Sequence, residues 1–342
     1  MKTASIDYLN IFLIAISLLL AIKLPFELFL FSYAFLGPLH YLTEINWLNK
    51  NRFFVSNSKI IGVFLFLSLI ICSPPIIDGI ASLSGLKNSS FSNFLTTKSY
   101  GTFKNLIPHA IFSALVIGVA SVVFKKLWKI LVCCLLGFIA SYFLTTVPFY
   151  MVLMGAFIPT IIHVYVFTIL FMLYGALKTK SKVGIVSVIL LVLCILFISF
   201  IDIHPDSYIV SENTKKSFEG GLFSFVNNSL ATFFMDNPKE FFLLSVLGIK
   251  IQIFIAFAYT YHYLNWFSKT SIIEWHKVDK KQFFIIAAIW LFSVSLYLYN
   301  YRLGFLCLLF LSTLHVVLEF PLNYISIKET VRIIFSSFRS KK

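Results

Sequence analysis

Charge is what this chain has least of. Asp, Glu, Lys and Arg together make up 12% of its 342 residues, and only 14 residues are acidic. Soluble domains carry about twice that share of charge, so an ordinary globular or disordered chain is excluded. Cysteine is sparse as well. Cys72, Cys133, Cys134, Cys194 and Cys307 all lie inside apolar runs, and none forms a CxxC pair. This excludes a disulfide framework and a zinc knuckle, and leaves five small buried hydrophobes. GxGxxG, Walker A, HExxH, GxSxG and CxxCH sequences are all missing. Nucleotide-driven chemistry, serine hydrolysis and covalent haem attachment therefore have no local signature. No internal repeat, heptad tract, low-complexity segment or separate soluble domain is visible. The first apolar run is not followed by a small-residue cleavage site, and reads as a retained span.

What the chain does have is apolar length. It is 59% hydrophobic with 40 phenylalanines, its mean hydropathy is +0.91, and runs long enough to cross ~30 Å of hydrocarbon recur throughout. The fold class that follows is all-α, a polytopic transmembrane helical bundle in one integral membrane domain over 1–342. About ten spans are expected, near 8–22, 27–46, 59–77, 107–124, 128–147, 149–177, 183–201, 244–266, 283–299 and 303–320. The third is expected to break at Pro74-Pro75, and the sixth carries Pro159 in its middle.

The formal net charge of +14 sits in short loops, as the topogenic charge of a membrane protein and not as a nucleic-acid surface. Lys50, Arg52 and Lys59 follow span two; Lys125, Lys126 and Lys129 follow span four; Lys178, Lys180 and Lys182 follow span six. Lys269, Lys277, Lys280 and Lys281 follow span eight, and Arg332, Arg339, Lys341 and Lys342 close the chain. Acidic residues such as Asp202, Asp206, Glu212, Glu219, Asp236 and Glu240 fall on the other side. Alternation then places both termini in the cytoplasm, as for a bacterial inner membrane protein. Two long connections, near 78–105 and 202–243, are exocytoplasmic. In the second, Leu222-Phe223-Ser224-Phe225-Val226 reads as an amphipathic helix lying on the membrane surface.

Against this background a few polar residues stand out. His40 and Glu44 are four apart in Gly37-Pro38-Leu39-His40-Tyr41-Leu42-Thr43-Glu44, hence on one helix face. His315 and Glu319 repeat that spacing near the other end of the chain. His163 lies inside a long apolar run, and His262 in Tyr259-Thr260-Tyr261-His262-Tyr263. Ionisable groups at membrane depth are costly and face a bundle interior or a functional cavity. In the expected topology His40, Glu44, His262, His315 and Glu319 share the cytoplasmic third, with His163 deeper.

Imidazole and carboxylate at helical spacing on several helices is how bundles hold non-haem iron. The six residues His40, Glu44, His163, His262, His315 and Glu319 are thus candidate metal ligands for a membrane-bound oxygenase. Tyr41, Tyr259, Tyr261 and Trp266 would line the access of a lipophilic small-molecule substrate entering from the membrane lipids. Glu274 and His276, in a short loop after His262, are candidates for a lid or an extra ligand. The bland reading of any one histidine is membership of the interfacial belt. His109 reads as interfacial or as a helix-start residue, and Lys250 as snorkelling outward. Two rival functions fit less of the pattern: a b-type haem held by two facing histidines, which leaves the carboxylates unexplained, and a transporter or channel with a polar pathway.

The stretches Gly37–Glu44 and Tyr261-His262-Tyr263-Leu264-Asn265-Trp266-Phe267-Ser268-Lys269-Thr270-Ser271 also resemble segments of uncharacterised bacterial multi-pass proteins. Some of those carry names borrowed from the Brp/Blh family of membrane-integral β-carotene 15,15'-dioxygenases. The resemblance implies a polytopic bundle whose histidines bind iron for oxidative cleavage of a carotenoid. The positions that it carries over are His40, His163, His262 and His315.

Overall fold

In hydrocarbon every backbone N–H and C=O must be paired within its own segment, so a chain this apolar has little choice but to coil. The computed structural model, which describes residues 3–83, 90–221, 223–235, 237 and 241–339, is helical wherever it is regular, with no strand among those residues. Leu222, Asp236, Glu240, Lys341 and Lys342 lie outside the described residues. Among the described residues, eight helices are long and apolar enough to cross a membrane: 5–23, 60–82, 98–123, 127–144, 150–179, 182–200, 280–299 and 301–336. The protein is therefore a multi-pass integral membrane protein.

The other two expected spans are helical but do not meet that standard of apolarity. One is a run of three pieces, Pro25–Phe31, a π-helical turn Ser32–Leu36 and Gly37–Lys50. The other is Val246–Ser268, in which fifteen residues from Gly248 to Asn265 are buried. Tyr259, Tyr261, His262, Tyr263 and Asn265 lower its hydropathy, and all five face protein. These two segments carry three of the six candidate ligands.

Prolines do less damage than their positions suggest. The expected break at Pro74-Pro75 is absent, since a single helix runs Ile60–Leu83 through both residues. Pro74 cannot donate to the carbonyl of Ile70, but Ser73 Oγ donates to it at 3.3 Å, which is how buried helices accommodate proline. Pro159 does not break its span either. It lies in the π-helix Leu153–Phe167, which continues directly into Thr168–Thr179. Helix starts are capped where the chain leaves a loop: Ser181, Ser211 and Ser245 hydroxyls accept from the backbone N–H of Gly184, Thr214 and Gly248, satisfying donors that the first turn leaves orphaned.

The chain divides into two units. The first comprises Met1–His40, Thr160–Leu291 and Ile325–Lys342. In it Val246–Ser268 packs against Thr3–Lys23 and Pro25–Phe31, and Thr3–Lys23 also packs against Lys182–Phe200. Helix Ser224–Ala231 is tied in by a fully buried amide pair: Asn227 Nδ2 donates to Gln252 Oε1 at 3.0 Å, and Gln252 Nε2 to the Pro25 carbonyl at 3.0 Å. The second unit comprises Tyr41–Pro159 and Phe292–Tyr324. There Leu106–Val123 packs on both Leu127–Leu144 and Ile60–Leu83. Gly118 lets the backbone carrying Phe320 come close, because a Cβ at 118 would stand 2.7 Å from the Phe320 Cβ. All four division points fall inside continuous helices.

Candidate metal centre

The first unit gathers three histidines from remote parts of the sequence. His40 is 1% exposed, His163 2% and His262 8%. Two of them owe their position to π-helical geometry. His163 lies within Leu153–Phe167, and His40 is in the first turn of Gly37–Lys50, the helix that directly follows Ser32–Leu36. The i→i+5 pattern widens the turn and re-aims side chains, and it concentrates at functional sites. His262 comes from the last two turns of Val246–Ser268.

The rings converge. His262 Nε2 stands 3.0 Å from His40 Nε2, with ring centroids 4.6 Å apart and nearly perpendicular at 73°. The His163 and His262 rings are 5.0 Å apart, and His40 and His163 each present a ring nitrogen within 4.8 Å of the other. Tyr263 and Trp266 wall His40, with ring centroids at 5.2 and 5.5 Å.

One hydroxyl fixes the protonation of the central ring. Thr168 Oγ1 donates its single proton to the Val164 carbonyl at 2.8 Å. It also stands 2.8 Å from His262 Nδ1, so here it can only accept, and Nδ1 must carry the hydrogen. In the neutral ring that leaves Nε2 without a hydrogen, facing His40. Metal-binding histidines are held in just this way, with the far nitrogen donating to a fixed oxygen. Thr168 was not singled out in the sequence. The signal available was its place five residues after His163, one turn along a π-helix.

The second unit brings the carboxylates together. Glu44 is 2% exposed and Glu319 4%, and the two are electrostatic neighbours. His315 is 5% exposed, and the Tyr41 ring lies 5.6 Å from its imidazole.

The remaining sequence candidates are distributed differently. Trp266 borders His40, as above. Tyr259 packs instead against Phe29 and Tyr33, at 5.2 and 6.0 Å. Tyr261 turns toward helix Thr3–Lys23, donating to Asn10 Oδ1 at 3.3 Å and accepting from Asn265 Nδ2 at 3.0 Å. Glu274 is half exposed and pairs with Lys277 at 2.6 Å; that hydrogen bond and the lysine's charge hold its carboxyl below the usual range. His276 stacks edge-on against Trp275, at 6.0 Å. His109 is a buried residue of Leu106–Val123, with Nδ1 2.7 Å from Ser141 Oγ, which in turn is hydrogen-bonded to Tyr150. Lys250 reaches the Ser199 carbonyl at 2.8 Å.

No protein-family model matches this chain, and no curated protein and no solved structure does so either.

Proposed function

We propose that the protein is a metal-dependent membrane oxidoreductase, in which His40, His163, His262 and His315 with Glu44 and Glu319 hold non-haem iron. The observation that carries this reading is the pairing of His262 and His40, with Thr168 holding the far side of the His262 ring. The 3.0 Å between the two Nε2 atoms is a hydrogen-bond distance, and it sets two buried imidazoles side by side where one ion could draw on them.

His40 and Glu44 are one turn apart on Gly37–Lys50, as are His315 and Glu319 on Tyr301–Arg339, and such pairs have Cβ atoms ~5–6 Å apart. The donor set suits iron, since neutral imidazoles supply affinity and the two carboxylates supply the compensating charge. When bound, iron would supply oxygen activation. The chain's own part is to hold each imidazole in the ligating tautomer, exclude bulk water and offer apolar walls to a lipid, isoprenoid or carotenoid substrate. The lysine-bearing loops favour a ten-pass topology with both termini in the cytoplasm of a bacterial inner membrane, the two interior segments being the less apolar passes.

Metal analysis of protein purified without chelator tests the reading. Wild type should carry iron in stoichiometric amount, and the His40→Ala, His262→Ala double variant should lose it while remaining folded. A well-folded, metal-free wild type would end the proposal, and a visible Soret band would replace it with haem.

A further inference from the structure

Within the second unit, helix Ile60–Leu83 runs beside the 301–324 part of helix Tyr301–Arg339. The two touch at Gly79, where an added Cβ would stand 2.3 Å from Leu306 Cδ2; the missing side chain gives Leu306 its room. One turn beyond Leu306 they part around a cavity of about 310 Å³. Leu69, Ile70, Ile76, Ile77 and Phe310 wall it. Leu69 is 53% exposed, so the cavity opens outward there.

The two polar side chains at the wall are already engaged within their own helix. Cys72 Sγ donates to the Leu69 carbonyl at 3.7 Å, and Ser73 Oγ to the Ile70 carbonyl at 3.3 Å. A water settles in a cavity only where it finds two to four polar partners, and both donors here are spent. Left empty, the walls would forfeit their dispersion contacts. In a bilayer the filler of matching chemistry is a hydrocarbon chain. Apolar cavities of ~150 Å³ take up one benzene-sized molecule, so this one has room for about a dozen carbons.

Depth agrees with that occupant. The residue after Ile77 is Asp78, which pairs with Lys104 at 3.6 Å and accepts from the Tyr100 hydroxyl at 2.8 Å. Both charges are partly exposed and mark the level at which the helix leaves hydrocarbon. From Ile77 back to Leu69 the helix covers ~12 Å, so the cavity lies in the acyl region of one leaflet, directly beneath that polar edge.

We propose that this cavity is a lipid site, which holds one acyl chain of a bilayer phospholipid with its headgroup at the level of Asp78 and Lys104. The chain completes the packing between the two helices where protein leaves it unfilled, and the lipid stays with the protein on extraction. The site shares no residue with the candidate iron ligands.

Native mass spectrometry tests it. The protein is extracted in mild detergent, stripped of lipid and returned to phosphatidylglycerol. Wild type should bind one lipid per chain, and Ile76→Trp, which fills the cavity with an indole, should bind it at least about tenfold more weakly, as the loss of a few buried methylenes requires. Leu135→Trp, at a position 61% exposed on Leu127–Leu144, should bind as wild type does. Equal binding by wild type and Ile76→Trp overturns the site. Should Ile76→Trp fail to accumulate, phosphatidylglycerol carrying a diazirine in its acyl chain is photolysed on the wild type in vesicles. Crosslinks should concentrate on residues 69–77 and Phe310, and an even spread over these and Leu127–Leu144 overturns the site. Neither readout depends on metal, so failure here and failure of the iron reading are separable.

Discussion

Two helices of similar length in this protein live in opposite surroundings. Lys280–Tyr299 has 20 residues, only 11% of its apolar stretch is buried, and it qualifies as a span on hydropathy alone. Val246–Ser268 has 23 residues, buries most of them and does not qualify. The first shows lipid a wall of Phe283, Phe284, Leu291 and Phe292, each more than half exposed. The second presents Gln252, Thr260, His262 and Asn265 to neighbouring helices. Hydropathy in a membrane bundle thus reports contact with lipid, and the helix that carries chemistry is the one that looks least like a span. Polar groups are tolerated there because they meet partners and not acyl chains.

The sharpest way to break this comparison is to truncate one large apolar side chain in each environment. Phe257, fully buried on the interior helix, should cost ~3–5 kcal/mol as Phe257→Ala through cavity formation, read as loss of stability in detergent unfolding. Thr168→Val comes next. It keeps the shape but gives His262 Nδ1–H no acceptor, and should weaken iron affinity about 10–100-fold in a chelator competition, with Thr168→Ser restoring most of it. The smallest effect belongs to the lipid-facing wall. Leu135, 61% exposed on Leu127–Leu144, should shift stability by no more than ~0.5 kcal/mol as Leu135→Ala. If Leu135→Ala proved as costly as Phe257→Ala, the division into interior and lipid-facing helices would be wrong.

The helical, multi-pass character was legible in composition, because apolar length in a bilayer admits little else. Element boundaries were legible to within a few residues wherever a lysine or a capping serine closes the run, as at Ser181 and Lys182. The prolines misled: Pro74-Pro75 marked a break that Ser73 repairs by bonding the carbonyl the proline leaves open. Within the candidate site, His40 and His262 could be singled out because a histidine in an apolar run has few reasons to be there. Their convergence could not be read, since it depends on π-helical turns at Ser32–Leu36 and Leu153–Phe167 that no local sequence rule announces. Thr168 was invisible for the same reason, being one threonine among many until its hydrogen bonds to Val164 and His262 are seen. Tyr259 and Tyr261 illustrate the converse: two tyrosines adjacent to a candidate ligand in sequence point away from it on a helix, and the ring beside His40 is that of Tyr263.

The most direct test of the central claim is X-ray absorption at the iron edge of the purified protein. The expected spectrum has a first shell of five or six nitrogen and oxygen atoms near ~2.1 Å with the outer-shell scattering of at least two imidazoles, and the imidazole signal weakens in His262→Ala. A first shell of sulfur, or iron with no imidazole scattering, would contradict the account.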